Sequence, residues 1–280
     1  MPWVPELFSA PALERLLEKR RRAELLAVPF FYGLTAGELD ALIDSFADEP
    51  VVHDPMRGRI RGVTEFEAFV TEMKGWLAEH NVSIENVEHI ILPARGFEEV
   101  ILHLHSESGP VDLPVAIVAD RGRRGRIQEL RIYYSGWQLT GSHVNRPPLL
   151  QPNSTLRPPD YVAGYLSALA AGNVDAIVNA FEPDGYAREP AGGPYIHQGR
   201  EQLRAFYEHW CSNDGGVPLE RCALIEGEGT CVLEYNIVQW GGTKLPPQAG
   251  VAVFTRGPGG KLAAARMYDD AEPPLTRQPQ

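Results

Sequence analysis

Two carboxylates stand directly before prolines at the ends of short apolar stretches, Asp54 in "VVHDP" and Glu189 in "GYAREP", 135 residues apart. A carboxyl that closes an apolar strand has two possible settings. It faces water while the proline ends the strand, or it turns inward. In the second case burial raises its pKa and makes it a usable acid or base near neutral pH. The inward setting is the expectation for both residues. Glutamate reaches one methylene farther than aspartate, about 1.5 Å. Chemistry that needs tight positioning is sensitive to such a shift, so the two copies either do different work or one has lost its role.

Other polar residues fall into rows with these acids. In "VILHLHSES" the residues Ile101, His103, His105 and Glu107 share one strand face, and Leu102 and Leu104 share the other. An imidazole from that row serves as a hydrogen-bond partner or proton shuttle for Asp54. The alternatives are a metal held by the two histidines with Asp54, or an outer, solvated or dimer-facing row. We expect no metal. The matching strand of the second copy puts Val232, Glu234, Asn236, Val238 and Trp240 on one face. If that face lines an interior, Glu234 and Asn236 bind substrate beside Glu189. Tyr134 and Asp269 align at the end of the last strand of each copy. Asp269 beside Glu189 would form a carboxylate pair with one pKa pushed up; the alternative is a polar strand end and tail. No GxGxxG after a strand, P-loop, GxSxG or HExxH is present, and no cofactor is expected.

The elements that must position these residues repeat. "AGELDALIDSFADEPVVHDP", residues 36–55, returns as "AGNVDAIVNAFEPDGYAREP", residues 171–190, and "GRIQELRIYY" returns as "GKLAAARMYD" at the same offset. This is a tandem of two domains. Each begins with a helix, Leu13 to about Phe31 or Pro159 to about Ala171. A short helix follows, in which Leu39, Leu42, Ile43 and Phe46 fall on one face; in the second copy Asn173 is the expected N-cap. Then come the strand carrying the acid, a third helix after a glycine, and three strands with glycine-containing turns. Helices followed by sheet give an α+β class, with a curved antiparallel sheet against helices and a conical interior suited to a ligand. Five prolines between Gly141 and Pro159 read as an extended linker, and the domains are expected at 1–152 and 153–280.

Composition bounds the partners. The chain has 280 residues, 44% of them hydrophobic, enough for two buried cores. A formal net charge of −11 argues against general nucleic-acid binding; the basic run Lys19 to Arg22 reads as a solvated helix face. Cys211, Cys222 and Cys231 form neither a disulfide framework nor a zinc pattern, which points to the cytoplasm. No signal peptide and no apolar run near the roughly 20 residues of a membrane span are seen. Small molecules are therefore the expected ligands.

The order helix, "GE/GN-Φ-D-A-Φ-Φ-x-x-F", acid-proline strand, then "GREQLRAFY" resembles the nuclear transport factor 2-like superfamily over 27–134 and 160–270. The second copy is similar to its SnoaL-like cyclases and ketosteroid isomerases, and the tandem to two-domain polyether epoxide hydrolase/cyclases. The resemblance implies two cone-shaped domains in which Asp54 and Glu189 are general bases. It implies that Tyr165 donates a hydrogen bond to a substrate oxyanion, where the first copy has Phe30. At the isomerases' second oxyanion donor the chain has Ile117 and Ala252. Glu85 and Glu220 are candidates for a second acid. Tyr134 and Asp269 occupy the place of an inward aromatic. The activity implied is cofactor-independent isomerisation, cyclisation, epoxide hydrolysis or dehydration of a polyketide- or steroid-like molecule. The alternative is a non-catalytic binding or scaffolding protein, its two halves paired as an internal pseudo-dimer, with a homodimer as a further arrangement.

Overall fold

The computed structural model describes residues 39–106, 109–122, 125–192 and 195–272. The helix expected from Leu13 to Phe31, the basic run Lys19 to Arg22, Phe30 and Glu107 lie outside the described residues. The chain divides into two compact units, Met1–Ile132 and Tyr133–Gln280, each an α+β domain with one six-stranded sheet. Among the described residues no helix is long and apolar enough to cross a membrane.

In the first unit the described elements are α1 (Leu39–Asp44), β1 (Val51–Asp54), β2 (Gly58–Arg61), α2 (Val63–Glu79), β3 (Ser83–Ile91), β4 (Arg95–Ser106), β5 (Gly109–Arg121) and β6 (Ile127–Tyr133). The sheet order is β2-β1-β6-β5-β4-β3. The second unit follows with α3 (Trp137–Thr140), α4 (Asp160–Ala171), α5 (Val174–Asn179), β7 (Phe181–Arg188), β8 (Ile196–Gln198), α6 (Gly199–Trp210), β9 (Leu219–Glu226), β10 (Thr230–Trp240), β11 (Thr243–Arg256) and β12 (Leu262–Tyr268). Its sheet order, β8-β7-β12-β11-β10-β9, repeats the first. The expected antiparallel pairing holds for β1–β2, β3–β4 and β4–β5, and for β7–β8, β9–β10, β10–β11 and β11–β12. The acid-bearing strands β1 and β7 join the last strands β6 and β12 in parallel, because the chain leaves through helix α2 or α6 before it returns.

Local chemistry explains several boundaries. Asn173 caps α5, its Oδ1 accepting the Ala176 N–H at 3.1 Å. Gly172 ends α4 with φ +65°, the left-handed turn that favours glycine. The Pro-rich segment from Gly141 to Pro159 contains neither helix nor strand. Asp270, buried just past β12, accepts hydrogen bonds from Ser135 Oγ, Gly136 N, Val144 N and His143 Nδ1 at 2.5–3.0 Å. A buried carboxylate with four donors is satisfied, and it fixes the start of the second unit to the end of its sheet.

The core of the second unit lies between the sheet and helices α4–α6. Cys231, Leu233, Tyr235 and Ile237 of β10 belong to one buried cluster with Tyr165, Leu169, Leu203, Tyr207 and Phe254. Successive strand residues alternate faces, so Glu234 and Asn236 lie on the opposite face, which is buried too. A register shift between Ile237 and Gln239 breaks the alternation. It brings Trp240 back into the inner cluster, where its ring meets Trp210 edge-on at 4.8 Å and its Nε1–H donates to the Trp210 carbonyl.

Candidate active site

The two proline-flanked acids meet different surroundings. Asp54 is 1% exposed and lies on the same sheet face as Val52, whose neighbour Leu130 lines an inner pocket. Its Oδ1 accepts the backbone N–H groups of Met56 and Arg57, both at 2.9 Å. That is an Asx turn, a geometry suited to a side chain as short as aspartate. The turn links β1 to β2. We expect Asp54→Asn, which keeps the acceptor, to change stability by less than about 1 kcal/mol, and Asp54→Ala to cost about 1–3 kcal/mol. Denaturant unfolding of the two variants checks this.

Glu189, one methylene longer, reaches away from its own turn. Its Oε1 meets His197 Nε2 at 2.7 Å, and the two side chains are 28% and 25% exposed. The bond follows from the register, in which β8 runs antiparallel to β7 with Ala187 opposite His197. The imidazole stacks on Phe206 of α6, ring centroids 4.2 Å apart and planes 10° from parallel. Glu189 is thus a partly open acid held by an imidazole, and the expectation of two equally buried acids holds for Asp54 alone.

Phe206, on which the imidazole stacks, meets the ring of Tyr207 edge-on at 4.8 Å, the first of two phenols. Tyr165 of α4 and Tyr207 of α6 have no exposed surface, and their hydroxyls are 2.9 Å apart. Burial, above all, pushes both above the ordinary phenol range; the Glu189 charge raises Tyr207 further. Both therefore stay protonated. Two O–H groups that share one hydrogen bond leave one O–H to give, whichever donates. A third phenol, Tyr235, donates to Asp269 Oδ2 at 2.6 Å, and Asp269 Oδ1 accepts the Ala271 N–H. Burial lifts the Asp269 carboxyl above its usual range; the bond from Tyr235 opposes this. Gly250 makes room for the pair, since a Cβ there would sit 2.6 Å from the Tyr235 ring. Asp269 and Glu189 are held by different partners, Tyr235 and His197.

Several residues expected beside the acids stand elsewhere. Leu102 and Leu104 of β4 are buried, so by alternation His103 and His105 face the other way. The proposed association of either histidine with Asp54, as shuttle or metal ligand, is not assembled. His103 lies between Asp112 and Glu85, its Nδ1 and Nε2 meeting their carboxylates at 2.7 and 3.0 Å, and His105 is exposed. The Asp112 bond, chiefly, raises the His103 pKa; burial opposes it. A raised folded-state value means that the stabilisation is complete below about pH 6.5 and fades as pH rises through the folded-state value. We expect Asp112→Asn to lower the His103 midpoint in an NMR titration.

In the second unit Glu234 accepts the Tyr133 hydroxyl at 2.7 Å and the Asn236 amide donates to the Leu150 carbonyl at 3.1 Å. Both lie across the sheet from Tyr165, because the parity that places Tyr235 inside places them outside. Tyr134 is buried just beyond β6, and Glu220 is exposed on β9 opposite Asn236. The first unit's inner pocket is lined by Leu42, Phe46, Phe97, Ile117 and Leu130, with Glu98 and Arg121 as its charged walls. His197, Tyr207 and Tyr235 escaped the sequence reading. Tyr207 stood in the quoted "GREQLRAFY" at i+4 from Leu203, where helical spacing points it inward; His197 had no local signal.

The model of the SnoaL-like domain matches residues 162–265. Similar solved structures include an NTF2-like protein from Cytophaga hutchinsonii, 17% identical over 41% of this chain and 94% of that one, with a TM-score of 0.33. A SnoaL-like protein from Burkholderia thailandensis is 18% identical over 40% of this chain and 92% of its own, at a TM-score of 0.34. SalBIII, an epoxide hydrolase/cyclase-like enzyme in pyran ring formation in the polyether salinomycin, is 24% identical over 39% and 88%, at a TM-score of 0.34. No curated protein matches the chain.

Proposed function

From a chain of two tandem NTF2-like α+β domains, the second a SnoaL-like domain over residues 162–265, we propose a cofactor-independent acid–base enzyme. Its substrate is a small, apolar, oxygenated molecule of polyketide or steroid kind, and its chemistry is proton transfer in the service of isomerisation, ring closure, epoxide opening or dehydration. The observation that carries this reading is the contrast between the two acids. Asp54 is engaged in a backbone turn, whereas Glu189 is open to approach and stands near a buried phenol pair. Glu189 and the imidazole bonded to it move the proton, and the O–H left over from Tyr165 and Tyr207 polarises the substrate oxygen. Three free cysteines accord with a cytoplasmic protein.

The full chain is to be assayed by NMR for deuterium uptake into enones, epoxides and β-hydroxy ketones in heavy water. We expect Glu189→Gln to lose at least about a hundredfold. Wild-type rates in Glu189→Gln and Tyr165→Phe, with the fold intact by circular dichroism, overturn the reading. A second reading has its own observation. Phe206, Tyr207, Trp210 and Trp240 pack ring against ring at 4.8–6.0 Å across the interior of the second unit, as in a binding or scaffolding module. Saturable ligand binding without turnover would select it.

A further inference from the structure

We infer that His197 is the group that takes the proton and that Glu189 orients it; this rests on the reading above and assigns its base. An imidazole bonded through Nε2 to a carboxylate carries its proton on Nε2, since a carboxylate accepts and does not donate. Nδ1 then carries the lone pair, and it has no hydrogen-bond partner among the described residues. The ring cannot swing away easily: it lies flat on Phe206 at 4.2 Å, and β8 fixes its backbone to β7. Both groups keep about a quarter of their side-chain surface exposed, so a substrate can reach Nδ1 without rearrangement, whereas the phenols, which have no exposed surface, are met only when the packing over them opens. The titratable groups set against the ring are Glu189 from the end of β7 and, through Glu189, Tyr207 from α6.

The duplicated sequence supplies an internal comparison. In the sheets Ala187, two residues before Glu189, lies opposite His197, and Val52, two residues before Asp54, lies opposite Ile60, so His197 corresponds to Ile60. The first unit therefore lacks the imidazole where its acid is engaged by Met56 and Arg57 N–H. The second unit has both the imidazole and an acid long enough to reach it. A pair of substitutions separates the copies, and both members bear on the same hydrogen bond.

The step balances without an oxidant or reductant. Nδ1 accepts the proton of an acidic C–H, the electron pair stays on the substrate as an enolate, and the phenol O–H donates to the enolate oxygen. The imidazolium so formed is paired with the Glu189 carboxylate and returns its proton to the substrate at another carbon. Charge is conserved within the site, and the imidazolium forms beside an anion that favours it.

The test uses the labelled full chain and a β,γ-unsaturated cyclic ketone in heavy water. Ring-nitrogen NMR is expected to show His197 protonated at Nε2 and bare at Nδ1 when neutral. Glu189→Gln removes the charge and can donate as well as accept, so the ring should sample both tautomers and the rate should fall, while His197→Gln should lose about 10²–10³ of the rate. A ring protonated at Nδ1, or His197→Gln with wild-type exchange while Glu189→Gln has lost it, overturns the assignment and leaves Glu189 as the base. No exchange in the wild type with this ketone or the other probes overturns the enzyme reading and this inference with it.

Discussion

Tyr165→Phe should cut turnover by about 10²–10³-fold while leaving the KM of an apolar substrate within a few-fold. Its phenol has no exposed surface and shares one hydrogen bond with Tyr207. The variant removes one O–H of two, and the survivor no longer has its partner to set its direction. The oxygen of the transition state carries more negative charge than that of the bound ketone. Loss of the donor therefore falls on kcat rather than on ground-state binding. The ring itself remains, with its contacts to Phe181 at 5.7 Å and Phe254 at 5.5 Å, so packing is conserved and stability should drop by only about 1–3 kcal/mol for the unpaired hydroxyl of Tyr207. Steady-state kinetics beside thermal unfolding separates the two effects. The first copy has phenylalanine at the aligned position, Phe30.

Gly216→Ala should be among the most damaging single methyls at the described residues, costing about 3 kcal/mol or more. A Cβ there would lie 1.9 Å from the Leu169 carbonyl oxygen and 2.4 Å from the Gly172 nitrogen. Those are backbone atoms at the end of α4, and they cannot swing aside as a side chain would. The same segment is bonded on both sides: Val217 N–H donates to Leu169 O, and Gly241 N–H to Gly216 O. A methyl would break this joint between the helix bearing Tyr165 and the strand bearing Trp240. Gly164→Ala is the control. That glycine is exposed in α4 with nothing near its Cβ, and alanine should stabilise the helix by about 0.5–1 kcal/mol. Thermal unfolding of both variants should move in opposite directions.

The sequence carried the architecture well, for identifiable reasons. The repeated phrase at a fixed offset, the Leu39, Leu42 and Ile43 face of α1 and the Asn173 cap each follow from local chemistry, whereas Phe46, the last residue of that expected face, stands past the end of α1 in a bridge to Ile127. The edge strands β3 and β9 were passed over. β3 is exposed on most of both faces and shows no alternation to read. The site was legible only in part. Asp54 and Glu189 share a sequence position and differ by one methylene, yet one closes its own turn while the other finds an imidazole eight residues on. Nothing in a linear pattern announces that partner, because it depends on the pairing of β7 with β8. The expected inner row of β10 failed for a related reason. Alternation gives two faces without saying which is inside, and the shift after Ile237 then moves Trp240 from one to the other.

The parallel seam between first and last strands has a consequence for assembly. Leu130 waits for Val52, and Ala265 for Ala187, across a long intervening chain. Each closing strand is made last during synthesis and completes its sheet only then, a slow, non-local event. With two sheets of one blueprint on one polypeptide, the closing strand of either half could recruit the opening strand of the other and trap a swapped conformer. The divergence between "GRIQELRIYY" and "GKLAAARMYD" gives each closing strand its own shape and charge, so that kinship between the halves does not become a folding hazard.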